Sequence, residues 1–169
     1  MRPVFPTIEQ VLQLENLLER TIPENWQDQN GHVNIQYYQT LYDRSGWVMF
    51  NQLGVDQNYF SERKLGMFDL EHHIYYLSEL HVGDTVSMHG RFVARNHKRV
   101  HGVIFIVNKS RRLLSCTLEF ITTGANLQTR RTDRFPDDIS ENLDRAIAAD
   151  SDILWPTPIC GAMSVYQLG

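Results

Sequence analysis

The stretch Trp26-Gln27-Asp28-Gln29-Asn30-Gly31-His32-Val33-Asn34-Ile35-Gln36-Tyr37-Tyr38 brings a carboxylate, a glycine turn and a helix start within a few residues of one another. Upstream, residues 21–26 read as extended. Downstream, Ile35, Tyr38, Tyr42, Met49, Phe50 and Leu53 recur at helical spacing until Gly54 supplies a C-terminal stop. The spacing therefore predicts a long helix over residues 34–53, with Asp28 at the hand-over from strand to helix. Asn34 is an N-cap residue type, Asp28 and Asn30 are turn formers, and Gly31 supplies positive φ. The first helical turn, at Asn34 and Ile35, holds backbone N–H groups without intrahelical partners at the positive end of the helix dipole. Such an end suits an oxyanion or a polarised carbonyl.

Working outward, residues 7–18 carry the capping-box pattern Thr7-x-x-Gln10 with Ile8, Val11, Leu12 and Leu18 at near-helical spacing, which predicts a short amphipathic helix. Pro23 keeps it from running on. A further helical piece is expected over residues 57–63. In residues 68–76 the alternation puts Phe68, Leu70, His72, Ile74 and Tyr76 on a core face, and Asp69, Glu71, His73 and Tyr75 on a polar one. Next, Val86, Met88, Phe92 and Ala94 alternate with Ser87, His89 and Arg91. Two more strands, over 100–107 and 113–122, complete a series whose short connections suit an antiparallel meander. Ile139, Leu143 and Ile147 mark a last helix over 137–149, and the tail beyond it has no pattern and reads as an arm for a partner subunit.

A chain of 169 residues, 42% hydrophobic, predicts one domain over 1–169, with a core at about 20–125 and an extension at about 126–169. No apolar run reaches membrane-spanning length and the first ten residues lack a signal-peptide layout, so a soluble, cytoplasmic protein without a membrane partner is expected. Cys116 and Cys160 are too few for a disulfide framework. A net charge of −4 argues against a nucleic-acid partner. Yet Arg91, Arg95, Lys98, Arg99, Lys109, Arg111 and Arg112 fall in a stretch without an acid, either solvated hairpin tips or a phosphate-binding rim. His72 and His73 are strand neighbours on opposite faces and cannot chelate one metal together, so no metal is expected. No Gly-x-Ser-x-Gly elbow is present.

The run Asp-x-x-Gly-His-Val-Asn-x-x-Tyr-Tyr resembles the active-site loop of hotdog-fold acyl-CoA thioesterases of the 4-hydroxybenzoyl-CoA thioesterase-like group. The resemblance continues through Leu53-Gly54-Val55-Asp56, Glu71-His72-His73-Ile74-Tyr75-Tyr76-Leu77 and Val82-Gly83-Asp84, over about residues 20–125. It implies an α+β hotdog, an antiparallel sheet wrapped around the long helix, with extra helical segments at both ends. By resemblance, Asp28 is the catalytic carboxylate, as nucleophile or general base, and the backbone N–H of Asn34 or Ile35 polarises the thioester carbonyl. His32 orients a water or holds the loop, and Glu71 is either a second catalytic carboxylate bordering the acyl pocket or a plain strand glutamate. Gly31 and Tyr38 line the substrate, and Arg95, Lys98 and Arg99 grip its nucleotide phosphates. The implied activity is hydrolysis of an acyl-CoA, with coenzyme A present only as part of the substrate and no separate cofactor. The alternatives are acyl-CoA binding without hydrolysis, or hydratase or dehydratase chemistry. Proteins of this kind place the site between subunits, so a homodimer or homotetramer is implied.

Overall fold

A computed structural model describes residues 3–166. In chain order it contains α1 (Ile8–Val11), β1 (Asn16–Thr21), a 3-10 turn (Glu24–Trp26), α2 (Gln36–Asn51), α3 (Gln57–Ser61), β2 (Leu65–Tyr76), β3 (Thr85–Arg95), β4 (Arg99–Asn108), β5 (Leu113–Asn126), β6 (Arg131–Thr132) and α4 (Asp137–Ser151). The strands form one antiparallel sheet in the order β1-β3-β4-β5-β2, with β6 paired to β5. The expected meander therefore holds only for β3, β4 and β5: β2 pairs with β5 at the edge, and β1 takes the place beside β3. No helix among the described residues is long and apolar enough to cross a membrane.

Helix α2 buries Tyr38, Leu41, Tyr42, Ser45, Gly46, Met49 and Phe50, a stripe at steps of three and four residues that meets the concave face of the sheet. The approach is close: a Cβ at Gly90 of β3 would lie 2.6 Å from the Met49 sulfur. Ser45 is tolerated in this core because its hydroxyl donates to the Leu41 carbonyl at 2.7 Å. The α+β arrangement of a sheet around a long helix is the one the resemblance implies. Trp47, also on this helix, faces outward and is 46% exposed.

Three further readings of the sequence need correction. The expected helix over 7–18 stops after Val11, although its capping box between Thr7 and Gln10 forms; Leu18 instead belongs to β1. Residues 24–26 close a 3-10 turn and are not extended. In β2 the pairing with β5 shifts between Asp69 and Glu71, a bulge that reverses the alternation. Asp69 consequently turns inward to receive the Tyr42 hydroxyl at 2.9 Å, and Phe68 turns outward, 64% exposed. Alternation beyond the bulge is as expected, with His72 and Tyr76 against Tyr42 and Tyr38 of α2.

The outer face of the sheet is covered, not solvated. Ser87, His89 and Arg91 of β3 are all buried. One ring nitrogen of His89 meets the Leu14 and Glu15 carbonyls at 3.1 Å, and the other meets the Ser87 hydroxyl at 2.9 Å. Arg91 donates to the carbonyls of Trp155 at 2.8 Å and Asp150 at 2.6 Å. The chain beyond α4, expected as an arm for a partner, packs on its own sheet: Trp155, Met163 and Val165 are buried, and the Cys160 N–H donates to Glu119 at 2.7 Å. Glu119 also pairs with His101 at 2.8 Å. These main-chain donors and acceptors let polar side chains sit inside the fold without being left unpaired.

Burial holds the His89 imidazole below its ordinary value of 6.5, only partly opposed by the two carbonyls. The unfolded chain therefore takes up this proton first, and the fold loses stability as pH falls through about 6.5. Melting temperatures of the wild type and His89→Gln between pH 7.5 and about 5.5 are expected to show a steeper decline for the wild type. Parallel curves would remove His89 from the pH dependence.

Candidate functional site

The Asp28 loop is closed by an isolated bridge between Gln27 and Val33. Within it, the Asp28 N–H donates to the His32 carbonyl at 2.8 Å, and the Gly31 N–H donates to the Asp28 carbonyl at 3.2 Å. Gly31 has φ +88°, a left-handed conformation that explains glycine at this position. Two backbone bonds tie the loop to its surroundings: Val33 N–H to the Leu80 carbonyl at 2.8 Å, and Asn34 N–H to the Trp26 carbonyl at 2.9 Å. Gln27, Asp28, Gln29, Asn30 and Asn34 line an open polar depression.

The Asp28 carboxylate receives the Asn30 N–H at 2.8 Å on Oδ1, while Oδ2 has only longer contacts, to the Asn30 side chain at 3.4 Å and to His32 Nδ1 at 3.5 Å. Desolvation pushes the carboxyl up, but the Asn30 bond and the His32 ring together hold it below the usual carboxylate value. Asp28 is thus ionised at neutral pH. His32 stands between two acids, with Nε2 4.0 Å from Glu79.

The two expected oxyanion donors separate. Asn34 is corrected out of the pair, because its N–H is already given to Trp26; its side chain instead accepts the Gln36 N–H at 3.0 Å, as an N-cap residue does. The Ile35 N–H has no hydrogen-bond partner among the described residues and stands one residue before α2, at the positive end of its dipole. Ile35 itself is 67% exposed, not part of the helix's packing stripe. Tyr38, one turn on, is buried edge-to-face against Tyr76, and burial raises its phenol to about 12, so it stays neutral.

Other expected residues lie elsewhere in the chain. Glu71 is opposite Ile121, which shares a face of β5 with the outward-facing Glu119, so Glu71 points away from α2. It is five residues from Tyr76, the end of β2 nearest the Asp28 loop, or about 16 Å along the strand. Within one chain it does not meet Asp28. The β3–β4 hairpin is at the opposite end of the strands, about 33 Å along β3 from its first residue. There Arg95 is taken by Asp144 of α4, with Nε donating at 2.6 Å, and the buried Arg99 donates to the Val165 carbonyl at 3.4 Å. Lys98 is half-buried at the same turn.

A second polar cluster escaped the sequence reading. Asp69 receives the hydroxyls of Tyr42 and Thr122 and lies 3.1 Å from His72 Nε2, in a cleft of about 180 Å³ walled by Gly46, Trp47, Phe50 and Met67. Burial pushes its carboxyl up, but those three partners more than offset this and keep it low. Only the bulge in β2 turns Asp69 into the cleft, and alternation gives no sign of a bulge. No group of three or more His, Cys, Asp or Glu side chains among the described residues is arranged to hold a metal ion.

The sequence profile of the thioesterase-like superfamily matches residues 22–143. No curated protein matches the chain. Among solved structures, a Staphylococcus aureus protein determined in complex with CoA is 23% identical and superposes with a TM-score of 0.79, covering 89% of this chain and 96% of its own. A Pseudomonas putida KT2440 protein, provisionally assigned as a thioesterase, is 20% identical with a TM-score of 0.73, covering 92% of this chain and 98% of its own. A gentisyl-coenzyme A thioesterase is 13% identical with a TM-score of 0.66, covering 75% of this chain and 98% of its own. At these identities the likeness establishes the fold, a hotdog.

Because Asn34 caps α2 through its side chain, Asn34→Ala is expected to cost about 1 kcal/mol in chemical denaturation. Asn34→Asp should retain most of the stability. An alanine variant as stable as the wild type would show that the cap contributes nothing.

Proposed function

The chain belongs to the thioesterase-like superfamily, and from that premise we propose that it hydrolyses an acyl-CoA thioester to the free acid and coenzyme A, at the corner formed by Asp28 and the Ile35 N–H. The observation that carries this reading is the pairing of an ionised carboxylate that keeps one weakly engaged oxygen with a helix-start N–H lacking a partner among the described residues. In the reaction, Asp28 takes a proton from a water as that water adds to the thioester carbon. Negative charge moves to the carbonyl oxygen, where the Ile35 N–H and the α2 dipole meet it. The carbon–sulfur bond then breaks, and the thiolate leaves with the proton held on Asp28. As a nucleophile, Asp28 would add to the thioester carbon and expel the CoA thiolate as the carbon–sulfur bond breaks, leaving a mixed anhydride. Water would open that anhydride to the free acid and the regenerated carboxylate, with the water's remaining proton going to the thiolate; both routes need the ionised carboxylate. The CoA bound by the Staphylococcus aureus relative supports a CoA-type ligand.

The assembly is a homodimer, or a tetramer built from such dimers. Support comes from β2, a long edge strand that leaves Phe68, Leu70 and Tyr76 exposed. Two copies of one strand related by a two-fold axis pair antiparallel, which sets the Tyr76 end of one protomer beside the Leu65 end of the other. That end lies near the β3–β4 turn, since the Gly124 N–H bonds the Lys98 carbonyl and Ala125 pairs with Gly66. With Arg95 and Arg99 engaged within the chain, Lys98 of the partner is the cation of that group left to meet the nucleotide phosphates at the mouth of the site.

Asp28→Asn is expected to lower turnover at least about 100-fold without changing the melting temperature, while Glu71→Gln leaves turnover within a few fold. Near-normal activity of the Asp28 variant would remove it from the mechanism. Lys98→Ala should raise KM on acyl-CoA more than it lowers kcat, and should not affect an acyl-pantetheine lacking the nucleotide. Equal losses on both substrates would make Lys98 an ordinary surface residue.

A further inference from the structure

The connection between β2 and β3, residues 77–84, lies against the Asp28 loop, and the Val33–Leu80 backbone bond stitches the two together. Glu79 and His81 flank that stitch. Contacts run in a line from one carboxylate to the next through imidazoles. His32 places Nδ1 3.5 Å from Asp28 and Nε2 4.0 Å from Glu79. The other oxygen of Glu79 lies 3.7 Å from His81 Nε2, and His81 Nδ1 lies 3.9 Å from Asp84. Asp84 is the fixed end: it is buried, accepts the His81 N–H at 3.0 Å and the Asn108 side chain at 2.7 Å, and faces the Arg111 Nε at 3.3 Å. The line thus runs from a rigid, hydrogen-bonded acid to the loop that carries Asp28.

We propose that Glu79 is a positioning residue for the Asp28 site, holding the far nitrogen of His32 so that the near nitrogen stays turned toward Asp28, with His81 and Asp84 anchoring Glu79 from behind. The proposal rests on Asp28 being the reacting carboxylate. A protonated imidazole donates from both nitrogens, on opposite sides of the ring, so an acid at each fixes its orientation about the Cβ–Cγ bond. Removing Glu79 leaves the ring held from a single side, by the 3.5 Å contact with Asp28. The contacts in this line are at ion-pair and not hydrogen-bond distance, and Glu79 is 66% exposed, so the effect is a tuning of His32 and not a condition of folding. Glu79 never touches the reacting atoms.

The test is a cycle of Glu79→Gln, His32→Gln and the double variant on an acyl-CoA, with Glu79→Asp as the conservative control. Glu79→Gln is expected to lower kcat about threefold with KM unchanged, the size of one solvent-exposed charge contact. Aspartate should restore part of the loss, and in the His32→Gln background the same change should have no further effect. An equal loss in both backgrounds would mean that Glu79 does not act through His32, and would overturn the proposal. A second readout needs no activity: in protein labelled with ¹⁵N at histidine, Glu79→Gln should move the Nε2 resonance of His32. If that resonance stays in place the proposal fails, whether or not the protein hydrolyses any thioester; if it moves while no thioester is turned over, the contact is real and the reading of Asp28 is what fails.

Discussion

Everything else in the structure depends on the burial of one face of α2 in the concave side of the sheet. The stripe from Tyr38 to Phe50 supplies the core, and Gly90 lets Met49 approach β3 more closely than any side chain would allow. With the helix axis fixed in this way, its N-terminus must emerge beside the end of β2, where Tyr38 meets Tyr76. The loop before the helix is therefore placed by core packing, although its own side chains are polar and largely exposed. Two backbone bonds, to Leu80 and to Trp26, and the burial of the Val33 side chain in the core complete the placement.

The outer face follows a different principle. Its polar residues are satisfied by main-chain groups of segments distant in sequence: Leu14 and Glu15 for His89, Asp150 and Trp155 for Arg91, Cys160 for Glu119. A covered polar face of this kind depends on the cover, because each donor loses its partner if the segment leaves. Trp155 shows the same dependence from the apolar side, packing edge-to-face on Phe105 while the Arg91 guanidinium lies over its ring at 4.8 Å. The C-terminal segment is thus part of the fold and leaves this sheet face occupied.

What could be read from the sequence follows from what is local. The helix, the cap at Asn34, the glycine turn and the β3–β4–β5 hairpins each come from residues close together in sequence, and each was legible; the place of β2 was not, because it pairs with β5, far along the chain, and not with β3. The bulge at residue 70 was not, because one added residue reverses alternation without altering composition, and it hid Asp69. Nor was the engagement of Arg95 by Asp144, since pairs 49 residues apart leave no periodic trace. The N–H of Asn34 could not be told from that of Ile35 in the sequence for a similar reason. A helix start offers several N–H groups, and only the fold reveals that Trp26 has already claimed one of them.

Two carboxylates stand along α2, and the contrast between them supports the choice of Asp28 for chemistry. Asp69 accepts from Tyr42 and Thr122 and faces His72, so both of its oxygens are committed: Oδ2 to Tyr42 of the helix and Oδ1 to Thr122 of β5. Bringing a water to it would mean displacing one of those bonds inside a half-buried cleft. Tyr42, raised by its burial and by the Asp69 charge, remains a neutral donor and cannot relieve the carboxylate of that bond. Asp28 has the opposite arrangement: one oxygen is fixed by a strong local bond, and the other faces the open depression with only long contacts. A carboxylate anchored on one side and available on the other is what proton transfer to and from a water requires. One acid, in β2, therefore clamps the sheet to α2, and the other, in the loop at the helix's positive end, is presented to solvent.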